Sequence, residues 1–200
     1  MESEESKLVA AFRRGDAAAF DTLYRRHAGR VMAFARRLTG SGQDAEDLTQ
    51  EVFVAAFRGL ERFEGRSTLL SWLLGIAVRK RRDQARRRAP DSLPGADHLD
   101  SFDAPMSSVR MEDRILDSIA LDRALAALDE PMREAFLLVA AQGLTHKEAA
   151  AILERPIGTV KWRVAEASRR LREALGERLE READDVREVC SRGLGRVGGG

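Results

Sequence analysis

Helical periodicity runs from Leu8 to about Arg87, breaks off, and resumes near Ile115, and nowhere in the 200-residue chain do polar and apolar residues alternate as in a strand. That pattern calls for an all-α fold of two small helical domains. The interruption, RAPDSLPGADHLDSFDAPMSSVRMED, holds three of the five prolines together with Ser, Asp and Gly and has little apolar pattern, so it reads as a flexible linker. The expected boundaries are 8–88 for the first domain, 89–113 for the linker and 114–176 for the second domain. Residues 177–200 form a C-terminal helical extension that ends in GLGRVGGG.

In the first domain Phe20, Leu23, Tyr24, His27, Val31, Phe34 and Leu38 recur at spacings of three and four, which gives one apolar helix face ended by Gly40 and Gly42. The next helix is expected from near Asp44. It buries Leu48, Val52, Phe53, Ala56 and also Phe57, with Asp47, Gln50 and Glu51 off the buried stripe. A loop, Phe63 to Thr68, leads into a helix whose apolar stripe is Leu69, Trp72, Leu73 and Ile76, with Gly75, Arg79, Arg82 and Arg86 along its Trp72 edge.

Net charge is only +1, but the charge is laid out in blocks. Asp44 to Glu51 carries four acids and no base, whereas Arg79 to Arg88 carries seven bases and one acid, Asp83. Acids in the first turns of a helix suit its dipole, and seven cations in ten residues repel one another without an anionic partner. Opposite blocks suggest opposite partners. Cys190 stands alone, which excludes an intrachain disulfide, and His27, His98 and His146 have no ligand-like spacing, so no metal or cofactor site is expected. The acidic start MESEESKLVA and the lack of an apolar run of about 18 residues point to a soluble, cytoplasmic chain without membrane insertion.

The most specific local signal is LTHKEAAAILERPIGTVKWRVAEASRRL in the second domain. Thr145 and Glu148 match a capping box, Ala149, Ala150 and Leu153 allow a close helix crossing, and Glu154 to Pro156 make the turn of a helix-turn-helix. In the following helix Val160, Val164, Ala167, Leu171 and Leu175 form the apolar stripe. Trp162, Ala165, Glu166 and Arg169 point the other way, flanked by Lys161, Arg163, Arg170 and Arg172. Such a helix can enter a major groove with its outward residues at base edges and its cations at phosphates.

Three segments together resemble one family. GTVKWR after EAAAILE is similar to the fourth conserved region of extracytoplasmic-function sigma factors, DAEDLTQEVF (44–53) to their second, and SWLLGIAVRKRRDQARRR (71–88) to the helix that meets the promoter's −10 element. The resemblance implies a subunit that directs bacterial RNA polymerase core to promoters, with Asp44, Asp47, Gln50 and Glu51 on the β′ coiled coil and a further contact at the β flap. It implies −10 contacts from Phe63, Arg66, Ser67, Thr68, Arg79, Lys80, Arg82 and Arg86, and −35 contacts from Thr159, Lys161, Trp162, Arg163, Ala165, Glu166, Arg169 and Arg170. An anti-sigma factor is among the partners it allows. Two positions depart from the family pattern: Arg79 stands where members usually carry Asn, and Trp162 where a Ser is common. Trp162 could instead pack on the C-terminal extension, and Phe63 could be a core residue.

A one-component helix-turn-helix regulator would account for residues 115–176 but not for the acid-then-basic first domain. An enzyme lacks its parts, since the sequence holds no nucleophile–base set, no phosphate-cradling Gly loop and no metal cluster.

Overall fold

The computed structural model describes the backbone of residues 4–88 and 111–194, and side chains for 4–87 and 119–176. All regular structure among these residues is helical. Eight α-helices follow in order: α1 (Glu4–Arg13), α2 (Ala17–Thr39), α3 (Gly42–Gly59), α4 (Leu69–Arg88), α5 (Met111–Ala126), α6 (Glu130–Phe136), α7 (His146–Leu153) and α8 (Ile157–Leu194). A 3-10 turn (Leu60–Arg62) follows α3, and α6 widens into a π-helical stretch over Leu137–Ala141.

Short polar side chains start most of these helices, satisfying backbone N–H groups that have no intrahelical partner. Asp16 accepts from Ala18 N at 3.0 Å, Ser41 Oγ from Asp44 N at 3.3 Å, and Asp129 from Met132 N at 2.9 Å. Thr68 Oγ1 caps α4 through Ser71 N at 3.1 Å. Gly40 ends α2 at φ +73°, where a side chain would be strained. Gly42 is not a second terminator, because α3 begins on it, two residues before the expected start near Asp44.

The predicted stripes of α2 and α3 are buried through Leu23, Val31, Phe34, Leu38, Leu48, Val52, Phe53 and Ala56. Two aromatics depart from the expectation. Tyr24 is 43% and Phe57 49% exposed, because each lies on the shoulder of its helix where no further element covers it. Phe20 is half-buried beside them.

Helix α4 departs further. A single stripe is expected, but every residue from Leu69 to Val78 except Trp72 is buried. The reason is that α4 is packed on two sides, by α2 and α3 of its own domain and by α7 of the second. An all-round apolar helix is a covered helix, and LLSWLLGIAV has ten residues without a charge. At the crossing, Gly75 faces Ile152 of α7, and a Cβ there would lie 3.7 Å from that side chain, in ordinary van der Waals contact.

The two domains therefore share one continuous hydrophobic cluster rather than standing apart. Polar contacts join them as well. Arg37 meets Asp122 at 3.6 Å, Arg81 meets Glu130 at 3.7 Å, and Arg82 clasps Glu134. Arg133 donates to Leu38 O at 3.3 Å and Arg30 to Gln142 O at 3.1 Å. Most of the linker expected at 89–113 lies outside the described residues, but α5 already begins at Met111, three residues before the expected second domain. The Gly-rich end of the tail and the side chain of Cys190 also lie outside them.

Candidate polymerase and promoter surfaces

Helix α3 carries the acidic block on its outer side, and its residues divide between two neighbours. Asp47 and Gln50 are exposed. Glu51 leans toward α4, where Lys80 stands at 3.5 Å and Gln84 donates to it at 3.2 Å. Asp44 sits in the first turn, its N–H held by the Ser41 cap. On the other flank an open groove of about 840 Å³ is lined by Gln50, Phe53, Val54 and Phe57 of α3 and by Phe20, Tyr24 and Met32 of α2. Its aromatic wall is cross-braced: Phe20 and Phe57 meet edge-on at 5.0 Å, Tyr24 and Phe53 at 4.6 Å. Sequence periodicity missed this groove, although Val54 and Phe57 lie off the Leu48–Val52–Ala56 stripe and so signal it.

The residues expected at the −10 element fall into two groups. Phe63 packs on Trp72, ring centroids 5.1 Å apart, with its carbonyl taking a hydrogen bond from Arg13. Arg66 is exposed and paired with Glu64, Ser67 is exposed, and the Thr68 hydroxyl is engaged by Ser71 as the cap of α4. Along α4, Arg79 is exposed, Lys80 pairs with Glu51, and Arg86 pairs with Asp83.

Arg82 is turned away from solvent toward the second domain. Its Nε donates to Glu134 Oε1 at 3.1 Å and its Nη2 to Oε2 at 2.6 Å. The arginine side chain keeps 31% exposure and the glutamate 1%. That difference explains their opposite balance. Burial raises the Glu134 carboxyl above the usual range despite the hydrogen bonds and charge of Arg82. For Arg82, burial opposes the charge but its hydrogen bonds to Glu134 and that group's charge outweigh it, and its pKa rises. Glu134 carries no mark in the sequence beyond being one acid within an otherwise buried stretch of α6, and it was not foreseen.

The helix-turn-helix forms as its pattern predicts. Thr145 and Glu148 make the reciprocal capping box, with Thr145 N donating to Glu148 at 2.8 Å and Glu148 N to Thr145 Oγ1 at 3.2 Å. Those bonds hold Glu148 below the usual carboxylate range. Glu154 makes the turn in the left-handed region at φ +54°, and α8 starts directly after Pro156.

On α8 Val160, Ala167 and Leu171 are buried, Val164 is half-buried, and the opposite face presents Trp162 at 60% exposure with Ala165. Glu166 accepts from Arg169 Nη2 at 2.7 Å and Arg170 Nε at 2.9 Å on Oε1, and from Arg169 Nε at 3.0 Å on Oε2. The Arg169 and Arg170 hydrogen bonds pull its carboxyl down to about 2. Arg169 also grips Glu173 at 2.6 Å. Thr159 and Arg163 are half-buried, the charge of Arg163 offsetting a small part of the rise at Glu134, and Lys161 is exposed. Because α8 is one unbroken helix, residue 177 lies about 22 Å along its axis from Trp162 at 1.5 Å per residue. The tryptophan therefore does not fold onto the C-terminal extension.

Residues 23–90 match the Sigma-70 region 2 family and residues 118–171 the Sigma-70 region 4 family. The chain is 31% identical to the RNA polymerase sigma-H factor of Pseudomonas aeruginosa, over 91% of its own length and 98% of the relative's. It is also 31% identical to the ECF RNA polymerase sigma-E factor of Escherichia coli K12, over 86% and 93%. Among solved structures it resembles the sigma factor RpoE in complex with the anti-sigma factor NepR from Bartonella quintana, with a TM-score of 0.64, 29% identity and 78% of this chain matching 96% of that one. CnrH bound to the cytosolic domain of CnrY gives 0.60 and 28%, with 85% of this chain on 96% of that one. This protein belongs to the sigma-70 family and is a sigma factor of the extracytoplasmic-function type, a transcription initiation factor.

Proposed function

We propose that the exposed side of α3 is the handle by which the chain grips RNA polymerase core, and that α8 and α4 then address the −35 and −10 elements. One observation carries the first half: the acidic and amide row Asp47–Gln50 runs beside an open aromatic groove that no described residue fills. A basic, amphipathic partner helix such as the β′ coiled coil suits that surface, with apolar ridges in the groove and cations along the acids. The β flap is the expected second contact, toward the helix-turn-helix domain.

The closed packing of the two domains bears on order. Lys80, Arg82 and Arg86 are each engaged by an acid of the chain itself, and α4 is covered by α7. Phosphate contacts by Arg82 therefore require the domains to part, and core polymerase is the proposed agent of that parting. An anti-sigma factor is the second partner class, by analogy with the NepR and CnrY complexes. RNA synthesis belongs to the polymerase, and this chain supplies no catalysis. The cytoplasm is the expected site of action; among the described residues no helix is long and apolar enough to cross a membrane.

The test is transcription in vitro. Added to core polymerase, the chain should yield promoter-specific transcripts from its own genome's DNA, and Asp47→Arg should abolish them. An operator footprint by the chain alone, with no stimulation of core, would instead assign it to the one-component regulators.

A further inference from the structure

The outward face of α8 presents an unusual pair for a helix that meets DNA. Trp162 is the most exposed large apolar residue among those described and has no hydrogen-bonding or ring partner there. Glu166, one turn further on, is an acid on a face that must approach phosphates. Its charge is offset by Arg169 and Arg170 at 2.7 and 2.9 Å, so it can enter a polyanionic groove without net repulsion.

The bonding pattern leaves Glu166 a reading atom. A carboxylate offers about four acceptor sites. Two bonds arrive at Oε1 and one at Oε2, so Oε2 keeps a lone pair for an outside donor. In the major groove the donors are the amino groups of cytosine and adenine, and carboxylates pair with cytosine N4, whereas adenine's N6 sits beside an acceptor that repels a second carboxylate oxygen. Trp162 offers an apolar face, and the one apolar group in that groove is the thymine methyl. Ala165 lies between them with only a methyl group, which lets the helix approach closely. The i, i+4 spacing is about 6 Å along the axis, or roughly two base-pair steps at 3.4 Å.

We propose that Glu166 and Trp162 set the −35 preference of this chain, Glu166 selecting cytosine through its N4 amino group and Trp162 selecting thymine through its methyl group, within about two base pairs of each other. The inference rests on the reading of α8 as the −35 helix. Arg169 and Arg170 then act chiefly to hold Glu166, rather than as free phosphate contacts.

The experiment uses the full chain assembled with core polymerase and a duplex promoter library randomised across the −35 element, with productive sequences recovered from transcripts. Wild type should enrich cytosine in one column and thymine in a near neighbour. Glu166→Ala should flatten the cytosine column alone by about 5- to 150-fold, the worth of one good base contact. Glu166→Gln should move that column toward adenine, which a carboxamide bonds through both N6 and N7. Trp162→Ala should flatten the thymine column alone. If Glu166→Ala leaves every column unchanged, or raises all sequences alike, Glu166 reads no base and the proposal fails while the sigma reading stands. If wild type yields no promoter-directed transcripts from any library member, the sigma reading itself fails, and this inference with it.

Discussion

Replacing Arg82 with Met should cost much more than replacing its partner Glu134 with Gln, although both changes remove the same ion pair. Glu134 is 1% exposed and accepts both hydrogen bonds from Arg82, at 3.1 and 2.6 Å. Without Arg82 the carboxylate is buried with no direct partner, a loss of about 3–5 kcal/mol for a broken buried pair. Arg163 still faces it and offsets part, so about 3 kcal/mol is expected at neutral pH. In Glu134→Gln the amide oxygen still accepts, and Arg82 keeps enough exposure to turn toward water, so the loss should be about 1 kcal/mol.

The pH dependence separates this account from a simple packing defect. Burial places the folded-state pKa of Glu134 above its ordinary value of 4.5. Such a group favours the closed fold most below 4.5, and that contribution is lost as pH rises through the folded value. Arg82→Met widens the gap, so its deficit should grow as pH rises above 4.5 and shrink in acid. Relief can come by unfolding or by parting of α4 from α6. Urea unfolding and small-angle scattering at pH 7 and at pH 4.5 read the two routes. Equal costs for the two variants at pH 7, or an Arg82→Met deficit that does not change with pH, would refute the reasoning.

Other perturbations sort the surface from the core. Leu48→Ala, in the fully buried stripe of α3, should lose about 2–5 kcal/mol in urea unfolding, while Phe57→Ala on the open groove, which loses edge contacts with Phe12 and Phe20, should lose only about 1–2 kcal/mol yet weaken binding to core polymerase in a fluorescence titration. Thr145→Ala removes the side-chain half of the capping box, leaving the bond from the residue-145 backbone N–H to Glu148, and should cost about 1 kcal/mol, read as a lower melting temperature. Glu154→Gly should stabilise by up to about 1 kcal/mol, because φ +54° strains a side chain that makes no essential contact there.

Much of the fold was legible because local chemistry dictated it. The capping box, the left-handed turn before Pro156 and the Val160–Ala167–Leu171 stripe all depend on residues within a few positions of one another. The closed packing was not legible, because it depends on which surfaces of distant segments meet. Its trace was present in the charge-free run Leu69–Val78, which reads as one stripe only if the other side is taken to face water. The same gap hid Glu134. Nothing near it in sequence explains a buried acid, and its partner lies 52 residues away. The groove escaped because Tyr24 and Phe57 are aromatic and were assigned inward, whereas helix geometry places them on an uncovered shoulder. On α8 the outward face was foreseen, but not that Glu166 bridges Arg169 and Arg170 and leaves Lys161 as the freer cation.

The central claim, that α3 is the handle for polymerase, is tested most directly by titrating labelled chain into core polymerase and comparing wild type with Asp47→Arg and Val54→Lys. Both changes lie on exposed positions and should leave the melting temperature unaltered. The account predicts that each weakens binding at least tenfold. Unchanged affinity for both variants, with folding intact, would contradict it.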